Sequence, residues 1–540
     1  MKLYGDRGIL RRGRCVLAGT AAVLLPVWAS AAGSQQEKIL ETNITNDINV
    51  SSGEPQIALD PTNPRNLAIV EFGTGSAKRP AYAFNPMMLA DLLQDLQGAM
   101  ANTGRVMLSK DGGDHWAQSG PPPAYDPAVS PHTGGGDPFI AYGPEGTLYV
   151  GDEAGPAPKL GSAKTTFEIY AELLPRSNVT VAASRDGGKT FDTPQSAGTP
   201  VDRPWIAVDR TTGTVYTAST GPYNPITKAH NVPADEAPND RWLVAWQPRL
   251  AGKSEPRRMG GPDFSAAGGS TLTAAHGVVA ATFVLGQPGP GGFTAAQPAP
   301  VPVPASLNSL IKDGTSSCSI HSPCLFFETS SDEGKHWTRH HVPVAGGFSG
   351  QRTNVATDTG RPGRYAIAIL NPARTNLLIL VTDDSGATWS EPIAIPETAS
   401  GVDFKQWMDY GPTGVLGLVW KKQRDDLTPP SPPPSGPPEV AFRQALAPAF
   451  DVYSAISCDG GNSWLVPVRM NSETSPAGPA GNDDLSYIAL DADHAHMVWG
   501  DRRMLPKVKN VPGASGGLQA YYGRLPFSAV SKGAACGRRK

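Results

Sequence analysis

The residues of this chain that could do chemistry are carboxylates and cations set at the starts of short apolar runs. Glu54 precedes Pro55-Gln56-Ile57, Asp137 precedes Pro138-Phe139-Ile140, and the pair Asp202-Arg203 precedes Pro204-Trp205-Ile206. Arg352, the doublet Gln406-Trp407 and the pair Asp483-Asp484 stand before comparable runs further on. Carboxylates, arginines and an indole together suit a hydroxyl-rich or anionic ligand, which needs charge-assisted hydrogen bonds and an apolar face. Asp202, Asp483 and Asp484 are also candidates for acid–base catalysis, were two of them to flank a scissile bond. His494 and His496 alternate on a strand and share a face, but the sequence brings no third donor near them, short of what a zinc site needs. No metal or other cofactor is therefore expected, and nothing supports a bound calcium ion.

The elements that must position these groups are strands. The 540 residues include 60 Gly and 53 Pro, a density that favours many turns between short strands over long helices. Net charge is −3 with no long basic block, so nucleic acid is not an expected partner. Arg7, Arg11, Arg12 and Arg14, then an apolar run from Cys15 to Trp28 and Ala29-Ser30-Ala31, read as an export signal over residues 1–31. A secreted or periplasmic protein follows, with no membrane span once the signal is removed. Four cysteines then remain, Cys318, Cys324, Cys458 and Cys536, with three connectivities open. Cys318 with Cys324 would close a small loop, and Cys458 with Cys536 would tie down the C-terminal tail, residues 529–540.

One pattern recurs five times: SKDGGDHW at 109–116, SRDGGKTF at 184–191, SSDEGKHW at 330–337, TDDSGATW at 382–389 and SCDGGNSW at 457–464. Asp111, Asp186, Asp332, Asp384 and Asp459 can each accept backbone N–H bonds and close a tight turn. The glycine two residues on can take positive φ, and the aromatic that follows can start a strand and fill the gap to a neighbouring sheet. Between these turns a second motif recurs, an extended segment such as EPQIALD at 54–60, RPWIAVD at 203–209 or LSYIALD at 485–491.

The five turns resemble the Asp boxes of the sialidase-like, BNR-repeat family, and the likeness extends over most of the chain after the signal. It implies an all-β chain, a single β-propeller over residues 32–528. The repeats count to seven four-stranded blades, with six as the alternative that enzymatic sialidases show. The third unit lacks its box around Trp246–Lys253. The seventh lacks a fourth strand, which a segment near Lys38–Ile48 would supply from the N-terminus. In such a scheme the leading ends of the first strands open on one face, together with long insertions such as 73–104, where a helix is expected after Asn85-Pro86.

Family sialidases hold the substrate carboxylate with three arginines and attack with a tyrosine activated by glutamate. The first arginine belongs to an Arg-Ile-Pro motif. Here Glu54-Pro55-Gln56-Ile57 occupies that place, and no Arg-Ile-Pro occurs in the chain. Arg203 and Arg352 would supply two cationic contacts, without a third. Tyr410, Tyr487, Tyr521 and Tyr522 are nucleophile candidates only in the sense that any strand tyrosine is. The expected function is therefore recognition of a glycan or surface polymer by a monomer, through Glu54, Asp137, Arg203, Arg352, Gln406 and Trp407. The alternatives are a glycosidase or polysaccharide lyase acting on acidic sugars, and a scaffold whose Pro-rich loops contact another protein.

Overall fold

The computed structural model describes residues 38–47, 51–74, 105–120, 136–154, 178–196, 202–220, 241–247, 252–253, 257–261, 264–265, 271–286, 301–303, 305–311, 317–319, 321–350, 353–396, 398, 400–429, 446–479, 485–508, 517–531 and 536. The chain divides into a unit Met1–Gln36 and a unit Glu37–Lys540, and every described residue belongs to the second. Among the described residues the fold is all-β, built on seven antiparallel sheets of four or five strands that follow one another along the chain.

Sheet 1 runs Ser51–Leu59, Leu67–Thr74, Arg105–Ser109 and Ala117–Gln118; sheet 2 runs Gly136–Tyr142, Leu148–Ala154, Asn178–Ser184 and Gln195–Ser196. Sheet 3 is Asp202–Val208, Val215–Thr220, Arg241–Gln247 and Gly252–Lys253, with Arg257–Arg258 also pairing on the third strand. Sheet 4 is Leu272–Ala275, Val278–Leu285, Cys324–Ser330 and Thr338–Val342, and sheet 5 is Asn354–Thr357, Tyr365–Leu370, Leu377–Thr382 and Ile393–Ala394. Sheet 6 is Asp403–Tyr410, Leu416–Gln423, Phe450–Ser457 and Val468–Arg469. Sheet 7 takes Ser486–Leu490, His494–Asp501 and Gln519–Pro526 from the end of the chain, and Leu40–Asn43 from its beginning.

That last pairing is antiparallel, Leu40 opposite Arg524 and Asn43 opposite Tyr521. Polar contacts reinforce it. Arg503 reaches Glu41 at 2.6 Å and Asp501 at 2.8 Å. The Thr45 and Ser52 hydroxyls both donate to Glu71 Oε2 at 2.7 Å, joining the N-terminal segment to sheet 1.

The first strand of each sheet packs on the first strand of the next, and Ser486–Leu490 packs on Ser51–Leu59. The second strands are nearly continuous apolar runs buried on both faces, as in Leu67–Val70, Tyr365–Leu370 and Leu416–Trp420. Each of the five repeat turns joins a third strand to a fourth and shares one geometry. The Ser or Thr hydroxyl donates to the Asp at 2.8 Å in all five, and the same Asp accepts the N–H four residues on at 2.9–3.0 Å.

These turns also couple neighbouring sheets. Gly113 of sheet 1 lies against Tyr522 of sheet 7, Gly188 of sheet 2 against Leu108 of sheet 1, and Gly461 of sheet 6 against Val381 of sheet 5. Trp116 packs edge-on against Tyr522 with ring centroids 5.0 Å apart, and Trp389 does the same against Phe327 at 5.3 Å. Disulfides join Cys318 to Cys324 and Cys458 to Cys536, one of the three connectivities left open above. No helix among the described residues is long and apolar enough to cross a membrane. The helix expected after Asn85-Pro86 lies outside the described residues.

Candidate functional site

The leading ends of four first strands carry the same irregularity. The register slips by one residue, two residues standing opposite one, between Gly53 and Gln56, Gly136 and Phe139, Asp202 and Trp205, and Phe404 and Trp407. In three of these bulges a charged, non-glycine residue takes a left-handed backbone: Glu54 at φ 46°, Asp137 at φ 38° and Lys405 at φ 57°. That conformation costs a residue with a Cβ about 1–2 kcal/mol, and bulges of this kind re-aim side chains at the rims of sheets. The proline after Glu54 and Asp137 explains part of it. Pro55 and Pro138 have no N–H to give the ladder, so the pairing must open where they sit.

The second strands place polar groups directly behind these bulges. Glu71 stands opposite the Glu54-Pro55 bulge and Asp152 opposite Asp137-Pro138. Both are buried. Burial pushes the Asp152 carboxyl up to about 7 against a hydrogen bond from the Thr180 hydroxyl at 2.9 Å. Burial also raises Glu71, opposed by Arg105 and by the Ser52 and Thr45 hydroxyls. In sheet 6 the start of the bulge is pinned by Asp403, which accepts from Trp420 Nε1 at 3.0 Å and pairs with Lys422 at 3.1 Å. Burial pushes the Asp403 carboxyl up to about 6 despite Lys422.

Just beyond the bulges, aromatic side chains from three sheets meet. Trp407 of sheet 6 and Tyr487 of sheet 7 have ring centroids 3.8 Å apart, and Trp205 of sheet 3 lies 5.2 Å from Trp407 and 6.3 Å from Tyr487. Trp205 and Tyr487 are buried, whereas Trp407 is half-buried. Sheets 3 and 6 communicate again further along, where burial pushes the Asp409 carboxyl up to about 6 and Arg210 opposes it.

The structure places Glu54, Asp137, Gln406 and Trp407 each near the leading end of its own first strand, with Glu54 and Gln406 buried and Asp137 part-exposed. Asp202 and Arg203 start the first strand of sheet 3 in the same position, placed here by backbone alone. Arg352, Asp483 and Asp484 lie outside the described residues. Lys405, Trp205 and Tyr487 stand near the same ends of their own first strands, and Glu71 and Asp152 lie on second strands behind two of the bulges. The repeat-turn aspartates lie at the other end of the sheets, since first and third strands run the same way and these turns follow the third. Asp111, Asp186 and Asp332 are held well below the usual carboxylate range by the hydrogen bonds of their own turns, and Asp384 is lowered to about 2, a turn-building role.

Of the tyrosine nucleophiles considered above, Tyr410, Tyr521 and Tyr522 are poorly placed for that work. Burial pushes the phenols of Tyr410 and Tyr521 up to about 12 and raises Tyr522 further. Tyr410 donates to the Gly460 carbonyl at 2.9 Å and packs as a core residue.

No family model matches this chain, and no curated protein does. Solved structures similar to it include the Hadza microbial sialidase Hz136, at 15% identity over 80% of this chain and 75% of that one, TM-score 0.39. A polysaccharide lyase described as an ulvan lyase is 9% identical over 89% of this chain and 95% of its own, TM-score 0.43. An α-L-arabinofuranosidase from Fusarium graminearum is 12% identical over 73% and 92%, TM-score 0.34.

Proposed function

We propose that this chain is an exported protein whose seven sheets are the blades of one closed β-propeller, and that it binds a carbohydrate polymer at the leading ends of the first strands. Support for the ring comes from the sequential packing of first strands, from sheet 7 against sheet 1, and from the N-terminal strand that completes sheet 7. A ring leaves few free sheet edges, which accounts for borrowing a strand from the far end of the chain. The two disulfides are compatible with an extracellular or periplasmic setting.

The reading rests on the repeated bulge that sets Glu54, Asp137 and Lys405 on left-handed backbone at the leading ends of first strands, and on the Trp205–Trp407–Tyr487 cluster just beyond the bulges of sheets 3 and 6. Sugars offer hydroxyls to charged groups and C–H faces to aromatic rings, and this set provides both. The rings from three sheets also give the mouth a floor. With Arg203 counted, the bulges bear two carboxylates and two cations. Such a mixture suits a network of hydroxyl bonds better than bulk attraction of a polyanion.

The test is retention of the purified protein in gels containing neutral, uronic or sulfated polysaccharides, repeated with Trp407→Ala and Lys405→Ala. Retention by at least one polymer, lost in Trp407→Ala, is expected. Free migration in all of them would refute the reading.

A further inference from the structure

The hairpin between the first two strands of sheet 7 holds a cluster that His494 and His496 alone do not reveal. Asp491 ends the first strand, and its Oδ1 accepts the backbone N–H groups of Asp493 at 2.7 Å and His494 at 2.6 Å. Equivalent turns use the same device: Asp60 with Thr62, Asp209 with Thr211, Asp358 with Gly360. The difference lies in the second oxygen. Asp60 Oδ2 accepts from the Asn66 amide, whereas Asp491 Oδ2 stands 3.0 Å from His496 Nε2 and 3.2 Å from His494 Nδ1. One donor atom from each of the three residues lies within 4.8 Å of the others.

The other nitrogen of His496 holds its ring in place. His496 is buried, and its Nδ1 lies 2.7 Å from Tyr522 Oη, which also lies 3.2 Å from the Gly112 carbonyl, itself an acceptor for Arg524 Nη1 at 2.7 Å. Tyr522 thus keeps Nε2 turned toward Asp491 Oδ2, and His494 Nδ1 converges on the same oxygen. Two imidazoles and a carboxylate, the donor types that zinc takes, are brought to one point.

We propose that Asp491 Oδ2, His494 Nδ1 and His496 Nε2 form a site for one divalent first-row transition ion of the zinc class, with the remaining coordination open to solvent or a ligand. Donors about 2.0–2.1 Å from zinc at tetrahedral angles stand roughly 3.3 Å apart, near the two separations seen on Asp491. Tyr522 orients His496 as an outer-shell partner, the arrangement that metal-bound histidines ordinarily show. His494 and Asp491 are part-exposed, which leaves an entry path. Through Tyr522 and Gly112 the ion would bear on the seam between sheets 7 and 1.

The test uses the full chain, stripped with chelator and titrated with zinc by calorimetry, and with cobalt(II) by visible absorption. About one equivalent of zinc is expected, with a cobalt d–d spectrum of a low-coordinate site. His494→Ala, at a part-exposed position, should lose that equivalent, and Asp491→Asn, which keeps an oxygen for the turn, should do the same. Tyr522→Phe should weaken binding by roughly 10–100-fold. No zinc uptake by the folded wild type would overturn the proposal, as would uptake undiminished in folded His494→Ala and Asp491→Asn.

Discussion

Replacing Asp152 with asparagine isolates the energetic consequence of burying a carboxyl behind a bulge. Asp152 is 5% exposed, and its one described polar contact is the Thr180 hydroxyl at 2.9 Å. Burial pushes its carboxyl up to about 7 from 3.8. The folded protein therefore holds the proton more tightly than the unfolded chain does. Stability contributed by the protonated group is fully present below pH 4, falls as pH rises toward 7, and is flat above. At 1.36 kcal/mol per pH unit, a rise of about three units means that ionising Asp152 costs the folded state about 4 kcal/mol at pH 8. Asparagine escapes that cost, while its NH2, if left without a partner, returns about 1–2 kcal/mol. Asp152→Asn should then be more stable than the wild type by about 2–4 kcal/mol at pH 8. The difference should shrink by about 1.4 kcal/mol per pH unit between 7 and 4. Urea unfolding at pH 4, 5.5 and 8, with disulfides intact, measures it. A variant that is destabilised at pH 8, or whose difference from wild type ignores pH, would refute the reasoning.

Gly113 sits at φ 96°, where an added Cβ would collide with the Tyr522 ring and its Oη, so Gly113→Ala should cost about 2–5 kcal/mol and lower the melting temperature. The Cys458–Cys536 bridge spans 78 residues, for which loop-closure entropy implies about 4.5 kcal/mol. Cys458→Ser with Cys536→Ser should lower the denaturant midpoint accordingly. Deleting residues 1–47 uncovers the edge of Gln519–Pro526 and removes Glu41 from Arg503 and Thr45 from Glu71. Light scattering should detect association of that truncated protein, and a stable monomer would contradict the role given to the N-terminal strand.

Much of the sheet order was legible because it is local. The segments at 54–60, 203–209 and 485–491 are first strands, and each repeat turn joins a third strand to a fourth, since an Asp that caps its own turn and a Gly at positive φ need no distant partner. The expected strand near Lys38–Ile48 is Leu40–Asn43. The bulges were harder to see. Glu54-Pro55, Asp137-Pro138 and Arg203-Pro204 read as ordinary strand beginnings, yet a charged residue before proline at three equivalent places was itself the signal that pairing would open.

The aromatic cluster was not legible at all. Trp205, Trp407 and Tyr487 are separated by some 80 to 280 residues, and strand periodicity says which face a side chain takes, not which ring of another sheet meets it. Asp491 was missed for another reason. It read as the polar end of a strand, a role it does fill with Oδ1, and only the structure turns Oδ2 onto His494 and His496.

The most direct test of the binding site is equilibrium titration of tryptophan fluorescence with a retained polysaccharide, comparing wild type, Trp407→Ala and His115→Ala. His115 lies on an exposed repeat turn at the opposite end of the sheets. The site at the bulges predicts unchanged affinity for His115→Ala. For Trp407→Ala it predicts a loss of about 2 kcal/mol, roughly thirtyfold in Kd. Equal affinity for wild type and Trp407→Ala, or a loss confined to His115→Ala, would contradict it.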